Sequence, residues 1–340
     1  MDYRQSGVNI DAGNETVKRI KSLARGTFTP GVLSEIGAFG GLFRMPSGLE
    51  EPVLVASADG VGTKLKLAFM SGRHGTVGQD LVNHCVNDIL VQGATPLFFL
   101  DYLATGRLEP AVAEQIVKGM ATACTENGCA LLGGETAEMP GFYADGEYDL
   151  AGFIIGVVER GRLIDGSAIV PGDVLIGVPS TGLHTNGYSL ARRIVFDALG
   201  MQFDTKVEEL GTTIGDALLA THRSYLHTMR PLLERRLVKG MAHITGGGIT
   251  ENLPRVLPAG TAARIARYSW QFPPLFRVLQ RGGGVTDEEM LRAFNVGIGL
   301  IVAVDSANEA EALAALETSG GAGSVVIGHV VKGDRVVEYV

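Results

Sequence analysis

Short apolar runs separated by glycine-rich turns are the clearest pattern along this chain of 340 residues. Three continuous runs are typical of buried strands: 52–57, 96–103 and 151–158. Between them, apolar residues in 81–93 and 110–127 recur at helical spacing. Pro110 suits the first turn of the second helix, and Asn127-Gly128 predicts a left-handed end. The alternation predicts a mixed α/β domain in the first half of the chain.

The second half continues the alternation after a polar stretch that contains Asp165-Gly166 and Pro171-Gly172. We therefore predict two domains, 1–165 and 166–340. The elements predicted for the second domain follow in chain order: strand 173–178, helices 188–199 and 215–236, a short helix after Gly248, a helix near 274–280, strand 297–304, helix 308–318 and a strand near 325–331.

Composition narrows the class of protein. Hydrophobic residues make up 46% and charged residues 19%, which predicts a soluble globular protein with a large core. A net charge of −8 argues against a nucleic-acid partner, and no apolar run is long enough for a membrane partner. Residues 1–5 lack a secretion-signal pattern, so we expect a cytoplasmic location. Cys85, Cys124 and Cys129 fit neither a zinc site nor a disulfide framework, which predicts buried free thiols.

The most informative motif follows the first strand and reads Ala58-Asp59-Gly60-Val61-Gly62-Thr63-Lys64. It suits a metal-bound phosphate, because the acid can hold the cation, glycine lets backbone N–H groups approach, and lysine offsets charge. The spacing of a Walker A loop is absent. Taken alone, the motif is explained equally well as a tight turn.

Further acidic residues near the ends of predicted helices and strands could act together with this motif. Asp88 lies among apolar neighbours in a helix, and Glu135 follows two glycines after a short strand. Together with Asp59 they could supply the oxygens that Mg²⁺ prefers, since ligands gather at the carboxyl ends of strands. Each acid alone is more simply a cap, but the three together favour a metal site. Asp101 is a fourth candidate, for which a structural, hydrogen-bonded role is an equal alternative.

Two loops of the second half are dense in hydrogen-bonding groups. Residues 180–189 follow a strand and include His184, which taken alone is more often structural than catalytic. Residues 245–252 place a glycine triplet before a helix, a geometry able to bind phosphate; a turn without a ligand is the alternative. Neither a Cys/His dyad nor a GxSxG motif is present, so covalent catalysis is disfavoured.

Taken together, the motifs occur in a specific order along the chain. They are ADGVGTK (58–64), VNDILVQGATPLFFLDYLATG (86–106), GGETAEMPG (133–141), DLAGF (149–153), STGLHTNGYSL (180–190), HITGGGITENLPRVLP (243–258) and FNVGIGL (294–300). From about Gly7 to the C-terminus the chain resembles the phosphoribosylformylglycinamidine cyclo-ligase family, also called aminoimidazole ribonucleotide synthetases. Thr185 and Leu300 replace the serine and methionine that are common in the family, and both changes are conservative.

The resemblance implies an α/β (α+β) protein with a two-domain ATP-binding synthetase fold. Its N-terminal domain would bind ATP and metal and pair with a second copy into a barrel-like dimer core. Its C-terminal α/β domain would complete the cleft for substrate and nucleotide. A homodimer is therefore expected.

The resemblance also implies the reaction, a step of de novo purine biosynthesis. ATP would phosphorylate the formamide oxygen of formylglycinamidine ribonucleotide, and an amidine nitrogen of the same molecule would then close the ring. Because the nucleophile belongs to the substrate, the absence of a catalytic triad is expected. ATP and Mg²⁺ are the implied cofactors, and a requirement for a monovalent cation stays open.

Carried onto this chain, the resemblance implies three groups of site residues. The magnesium ligands would be Asp59, Asp88 and Glu135. The ATP and phosphate contacts would be Gly60, Gly62, Thr63, Lys64, Asn87, Asp101, Gly133 and Gly134. The substrate contacts would be His184, Asn186, Gly246, Gly247, Gly248 and Asn252. The catalytic candidates among these residues are Lys64, His184 and Asn186.

Two alternatives remain at the level of sequence. One is another ATP-dependent reaction of the same superfamily, of the small-molecule kinase or selenophosphate synthetase type. The latter would be expected to carry a reactive cysteine near the glycine-rich loop 36–42, and this loop has none. The other alternative is a non-catalytic nucleotide-binding or scaffold protein.

Overall fold

The structure is a computed structural model that describes residues 7–340. Residues 1–5, on which the expectation of a missing secretion signal depends, lie outside the described residues. The described chain forms two compact units: the first comprises residues 7–89 and 94–161, and the second comprises 90–93 and 162–340. Within residues 7–340, no helix is both long and apolar enough to cross a bilayer.

Helices and strands alternate through both units. The α-helices of the described residues are α1 Ile10–Arg25, α2 Leu65–Ser71, α3 Gly75–Leu90, α4 Pro110–Glu126, α5 Tyr188–Arg192, α6 Ile214–Leu218, α7 Leu226–Glu234, α8 Gly248–Asn252, α9 Pro274–Gly283, α10 Asp287–Ala293 and α11 Glu309–Thr318. The strands are β1 Pro52–Gly60, β2 Thr95–Thr105, β3 Ala130–Glu138, β4 Tyr148–Glu159, β5 Val174–Pro179, β6 Lys206–Val207, β7 Thr212–Thr213, β8 Val238–His243, β9 Thr261–Ile265, β10 Ile298–Val304, β11 Val325–Lys332 and β12 Val337–Tyr339.

The first unit contains a sheet in the order β1-β4-β2-β3, which is antiparallel except for the parallel pair β2 and β3. Helix α3 packs closely on its central strand β4. A Cβ added at Gly152 would lie 2.9 Å from Leu81 of α3, and one added at Gly156 would lie 2.6 Å from Ile89. Glycine at these positions therefore lets α3 approach the sheet, which brings the polar residues of α3 close to β1.

The predicted features of α4 are confirmed. Pro110 occupies the first turn of α4, and the helix gives way to Gly128 in the left-handed conformation, with φ +68. The three cysteines are free and buried, as predicted. The short strand predicted before Glu135 is longer than expected, because β3 continues to Glu138 and so includes the glycine pair and Glu135.

The second unit contains a sheet in the order β12-β9-β11-β5-β10-β8. Every residue of the interior strand β10 is buried, which explains its continuous apolar sequence. The strands predicted at 173–178, 297–304 and 325–331 are confirmed. Strands β8 and β9 and helix α10 were not predicted from the sequence.

The predicted helix 215–236 is wrong, because the chain forms α6 and α7 with an irregular segment between them. In this segment His222 and Tyr225 are fully buried, and the hydroxyl of Tyr225 donates to the carbonyl of Pro179 at 3.0 Å. Tertiary packing of these two side chains thus overrides the helical periodicity. The predicted helix 188–199 is α-helical only in its first part, because a π-helical turn at 193–198 follows α5.

Candidate active site

Two carboxylates of the first unit converge on one histidine. Asp59 lies near the end of β1, and its Oδ2 is 2.8 Å from Nε2 of His84 on α3. Asp88, one helical turn further along α3, has its Oδ2 4.0 Å from the same nitrogen and accepts a hydrogen bond from Ser57 Oγ at 3.0 Å. The side chains of Asp59 and Asp88 are 41% and 24% exposed. Both carboxylates can therefore meet a ligand while His84 stays in the interior.

The electrostatics of this cluster favour ionised carboxylate. Burial opposes ionisation of Asp59, but the hydrogen bond and charge of His84, together with the N–H of Gly60 at 2.7 Å, outweigh burial and lower the pKa of Asp59. Burial alone would lower the pKa of His84, but its hydrogen bond to Asp59 and the neighbouring carboxylates raise it. The two opposite shifts describe an ion pair. A cation at the exposed side of Asp59 and Asp88 would meet two carboxylate oxygens that are already close together.

Glu135 does not join this cluster. Cross-strand pairs place Asp59, Gly152, Asp101 and Gly134 in one row across the sheet. Three strand spacings correspond to about 14 Å between the ends of that row. Glu135 is the next residue after Gly134, so its side chain points to the opposite face of the sheet. Of the three predicted magnesium ligands, the structure brings Asp59 and Asp88 together and places Glu135 on the other face of the sheet, and the assignment of the three to magnesium stays a prediction.

Asp101 lies in the middle of this row and is tightly surrounded. A side chain at Gly134 would overlap Asp101, so glycine is required there. A Cβ added at Gly133 would make only an ordinary van der Waals contact, with Leu100 at 3.8 Å. Burial raises the pKa of Asp101 to about 7, and the charge of Glu135 acts in the same direction. Asp101 can thus carry a proton near neutral pH. This environment favours its structural interpretation over direct contact with a phosphate.

The loop that follows Asp59 divides into an exposed and a buried part. Gly62 adopts the left-handed conformation with φ +67, and both it and Thr63 are exposed. Lys64 points inward, with its Nζ 2.7 Å from Asp80 Oδ2 and both side chains fully buried. Burial lowers the pKa of Lys64, and the charge of Asp80 offsets part of this effect. In this structure Lys64 therefore forms a buried ion pair, and its phosphate contact and catalytic role stay predictions.

Asn87 is another predicted ATP contact that lies in the interior. Its side chain on α3 is fully buried, next to Asp88, which faces β1. The contact of Asn87 with ATP therefore stays a prediction.

In the second unit, the loop after β5 is held by a residue that sequence reasoning missed. Asn295 accepts from Ser180 Oγ at 3.0 Å and donates to the carbonyl of Gly182 at 2.9 Å. His184, in this loop, adopts φ +59 and is fully buried, and its ring stacks on His222 with centroids 4.0 Å apart. The ring of His184 therefore lies in the interior of the unit, and its substrate contact and catalytic role stay predictions.

The glycine loop of the second unit is held by Asn252. Its Nδ2 donates to the carbonyls of Gly246 at 3.1 Å and Gly248 at 2.8 Å, and its Oδ1 accepts from Thr245 Oγ1 at 3.2 Å. Asn252 therefore supports the glycine loop, and its contact with substrate stays a prediction. Gly248 is buried with φ +60, and a side chain there would overlap the carbonyl of Leu291.

The two loops of the second unit meet at Asn186 and Gly246. A Cβ added at Gly246 would lie 3.4 Å from Asn186 Oδ1. Nδ2 of Asn186 is shielded from solvent and has no hydrogen-bond partner within residues 7–340. A buried donor of this kind is costly unless a ligand satisfies it. Gly246 is exposed and Gly247, with φ +94, is half-buried, so Asn186, Gly246 and Gly247 are the predicted substrate contacts of these loops that lie close together without being buried.

His84 and Asn295 are the two site residues that sequence reasoning missed. His84 stands four residues before Asp88, a spacing that places both on one face of a helix and could have identified it. Asn295 belongs to the FNVGIGL motif, but only the folded structure places it against loop 180–187.

Comparison with known proteins agrees with this architecture. Residues 43–158 match the family model described as AIR synthase related protein, N-terminal domain, and residues 170–340 match the corresponding C-terminal domain. Solved structures with the same fold include thiamine-monophosphate kinase from Stenotrophomonas maltophilia, with a TM-score of 0.70, 19% identity and coverage of 96% of this chain and 95% of that one. A hydrogenase maturation protein HypE in complex with ATP has a TM-score of 0.67, 20% identity and coverage of 96% and 88%.

Fold and family models together define a two-domain protein of the AIR synthase-related class. Curated relatives narrow this class. Phosphoribosylformylglycinamidine cyclo-ligase of Trichlorobacter lovleyi is 54% identical over 319 residues, which are 94% of this chain and 91% of the relative. The enzyme of the same name from Desulfitobacterium hafniense is 58% identical over 303 residues, or 89% and 88% of the two chains. This chain belongs to the phosphoribosylformylglycinamidine cyclo-ligase family.

Proposed function

We propose that this chain catalyses the ATP-dependent cyclisation of formylglycinamidine ribonucleotide to 5-aminoimidazole ribonucleotide, ADP and phosphate. The names of relatives that are 51–58% identical over most of the chain support the reaction. The bound ATP in a HypE structure of the same fold supports the nucleotide. The distant kinase and HypE structures are under 25% identical and carry no argument for their own reactions.

The observation that carries the proposal is the pair of partly exposed carboxylates, Asp59 and Asp88, around His84. Their oxygens fit Mg²⁺, which binds proteins through one or two carboxylates and keeps waters and substrate phosphates as its other ligands. When bound, Mg²⁺ would neutralise charge on the ATP phosphates during transfer. The depressed pKa of Asp59 keeps its oxygen ionised at neutral pH, as this role requires.

The chemistry requires two bond-forming steps. First, the formamide oxygen of the substrate attacks the γ-phosphorus of ATP, and the bond to the leaving oxygen of ADP breaks. Next, the amidine nitrogen attacks the formyl carbon, the carbon–oxygen bond breaks to release phosphate, and the nitrogen loses its proton as the imidazole forms. The protein supplies positioning and neutralisation of charge in this scheme, so it needs no nucleophile of its own.

We assign different ligand groups to the two units. In the first unit, the exposed Gly62 and Thr63 lie directly after Asp59 and are suited to the phosphates of ATP. In the second unit, the Asn186 amide donor beside Gly246 is suited to an oxygen of the ribonucleotide. Asn295 and Asn252 position the two loops of the second unit through the hydrogen bonds described above.

We also propose that the chain acts as a cytoplasmic homodimer paired through the sheet of its first unit. The face of this sheet opposite Asp59 carries Leu54 and Phe153, which are 57% and 42% exposed. Large apolar side chains on an open sheet face indicate a surface that is covered in the assembly. Sedimentation of the purified protein should give twice the 35.8 kDa chain mass, whereas a monomer at micromolar concentration would contradict the pairing.

The proposed reaction is tested by supplying substrates separately to the purified protein with Mg²⁺. ADP should form only when ATP and formylglycinamidine ribonucleotide are both present, with one phosphate and one 5-aminoimidazole ribonucleotide for each ADP. ADP formation that ignores the ribonucleotide would contradict the assignment. A stable phosphorylated product without ring closure would indicate a kinase instead.

A further inference from the structure

The turn of residues 294–297, here called the support turn, contacts both ends of the loop after β5. At the start of this loop, the N–H of Ser180 donates to the carbonyl of Gly297 at 2.8 Å. At its end, a Cβ added at Gly187 would lie 2.4 Å from the ring of Phe294, so loop and turn are in close contact there as well. The support turn therefore determines where both ends of the loop lie.

The support turn contains a strained residue, Val296. Its φ of +45 lies in the left-handed region, where a β-branched residue is a genuine outlier. Its side chain is fully buried. Strain of this kind persists only where the surrounding structure over-determines the backbone, and it is found most often at functional sites. Contacts from outside the turn are therefore needed to hold Val296 in this conformation.

Val296 lies between the two residues that hold the start of the loop. Asn295 precedes it, and its Oδ1 accepts from Ser180 Oγ at 3.0 Å and from the N–H of Gly297 at 2.9 Å. Gly297 follows it and accepts from the N–H of Ser180, as described above. A change in the backbone of Val296 would therefore displace both groups that fix Ser180.

Trp270 supplies a contact that holds Val296. Its indole N–H donates to the carbonyl of Val296 at 3.1 Å. The segment between β9 and α9, to which Trp270 belongs, packs tightly on the support turn, since a Cβ added at Gly297 would lie 2.5 Å from Pro273. We infer that Trp270 is a positioning residue for the ribonucleotide: it holds Val296 in the left-handed conformation, and the support turn then places the amide donor of Asn186.

This inference rests on the proposed function, in which Asn186 donates to an oxygen of the ribonucleotide. The support turn acts on the loop whether or not the reaction has begun, so its loss weakens binding of the ground state and the transition state alike. Such a loss raises KM and leaves kcat little changed. The phosphates of ATP are assigned to the first unit, so KM for ATP should not respond to Trp270.

Trp270→Phe tests the inference in the full chain, because it keeps an aromatic ring and removes the N–H donor. KM for formylglycinamidine ribonucleotide should rise roughly fivefold, in keeping with the loss of one hydrogen bond. Steady-state ADP release should show kcat and KM for ATP little changed, which also establishes that the variant is folded. The matched control is Tyr268→Phe, which removes a hydroxyl from an 87% exposed aromatic residue of the same segment and should change no constant.

Val296→Gly separates the holding of a strained residue from ordinary packing. Glycine adopts positive φ without strain, so the turn would no longer depend on the indole. In the Val296→Gly background, Trp270→Phe should therefore leave KM for the ribonucleotide unchanged. An equal rise of this KM in both backgrounds would overturn the inference.

Hydrogen–deuterium exchange of the proteins without ligands measures the same route without turnover. The amide of Ser180 should exchange faster in Trp270→Phe than in wild type, while amides of the first unit should not change. Unchanged exchange at Ser180, or an unchanged KM for the ribonucleotide with an active wild type, would overturn the inference and leave the proposed function standing. ADP release by the wild type without the ribonucleotide would contradict the proposed function instead, and exchange at Ser180 would still decide whether Trp270 holds the loop.

Discussion

The two units place contrasting chemistry around their loops. In the first unit, charged groups dominate: the partly exposed Asp59 and Asp88 face the buried His84, and Lys64 pairs with Asp80 in the interior. In the second unit, the corresponding groups are amides and imidazoles, with Asn186 at the meeting point of two loops. The difference supports our proposal that metal and phosphate chemistry belong to the first unit and recognition of an uncharged or hydroxyl-bearing group to the second. Changes in charged residues should therefore have the larger effects.

The largest effect is expected from breaking the buried ion pair of the first unit. Lys64→Met leaves the carboxylate of Asp80 buried without its cation, so the free energy of unfolding should fall by roughly 4 kcal/mol. Urea denaturation measures this change. Because an apolar pair can replace a buried ion pair, Lys64→Met combined with Asp80→Leu should recover most of the loss.

The matched control is the exposed pair between Arg264 and Glu338, whose side chains are 52% and 43% exposed. Arg264→Met should cost no more than about 1 kcal/mol, because solvent screens the pair. Equal losses for Lys64→Met and Arg264→Met would contradict the structural role assigned to Lys64.

A second large effect concerns the pH dependence of stability at Asp101. Its pKa is about 7 in the folded chain against an ordinary 3.8, so the folded chain holds a proton that the unfolded chain releases. Stability is therefore lost as the pH rises from about 4 through 7. Asp101→Asn removes this loss, and it should stabilise the protein more at pH 8 than at pH 5, by about 2 kcal/mol.

Denaturation curves of wild type and Asp101→Asn at the two pH values give this comparison. The exposed Asp145 supplies the control, because Asp145→Asn should shift stability little and equally at both pH values. A stabilisation by Asp101→Asn that does not depend on pH would contradict the raised pKa.

The next effect concerns catalysis at the carboxylates of the first unit. Asp59→Asn and Asp88→Asn should each lower kcat/KM for substrate-dependent ADP release roughly 100-fold, because each removes an oxygen proposed to hold magnesium. Glu135→Gln should leave the dependence of the rate on Mg²⁺ concentration unchanged, since the side chain of Glu135 lies on the face of the sheet opposite Asp59. Steady-state rates over a range of Mg²⁺ concentrations measure both quantities. A shifted Mg²⁺ requirement in Glu135→Gln alone would contradict the two-carboxylate site.

The smallest effect is expected at the amide side chains of the second unit. Asn186→Ala removes one amide donor, so KM for the ribonucleotide should rise about tenfold, in keeping with the loss of one hydrogen bond. KM for ATP should stay unchanged. Asn308→Ala, at the start of α11 in the same unit, is the control and should leave both KM values unchanged. An equal rise for ATP and ribonucleotide would contradict the division of ligands between the units.

The sequence predicted the main elements better than it predicted the site. Strand β10 and helix α4 could be predicted because continuous burial and helical periodicity are local properties of a sequence. The break that contains His222 could not, because it depends on burial against residues distant in sequence. From composition and spacing, Lys64 and Asp59 were both predicted to contact a ligand. Only the fold shows that Lys64 turns inward to Asp80 while Asp59 stays partly exposed.

The fate of the formamide oxygen tests the central proposal most directly. Formylglycinamidine ribonucleotide labelled with ¹⁸O at the formyl group would be converted by the purified protein with Mg²⁺ and ATP, and the released phosphate would be examined by mass spectrometry. Transfer of the formamide oxygen to the γ-phosphorus predicts one ¹⁸O atom in each phosphate. Unlabelled phosphate formed together with the imidazole product would contradict activation by phosphorylation.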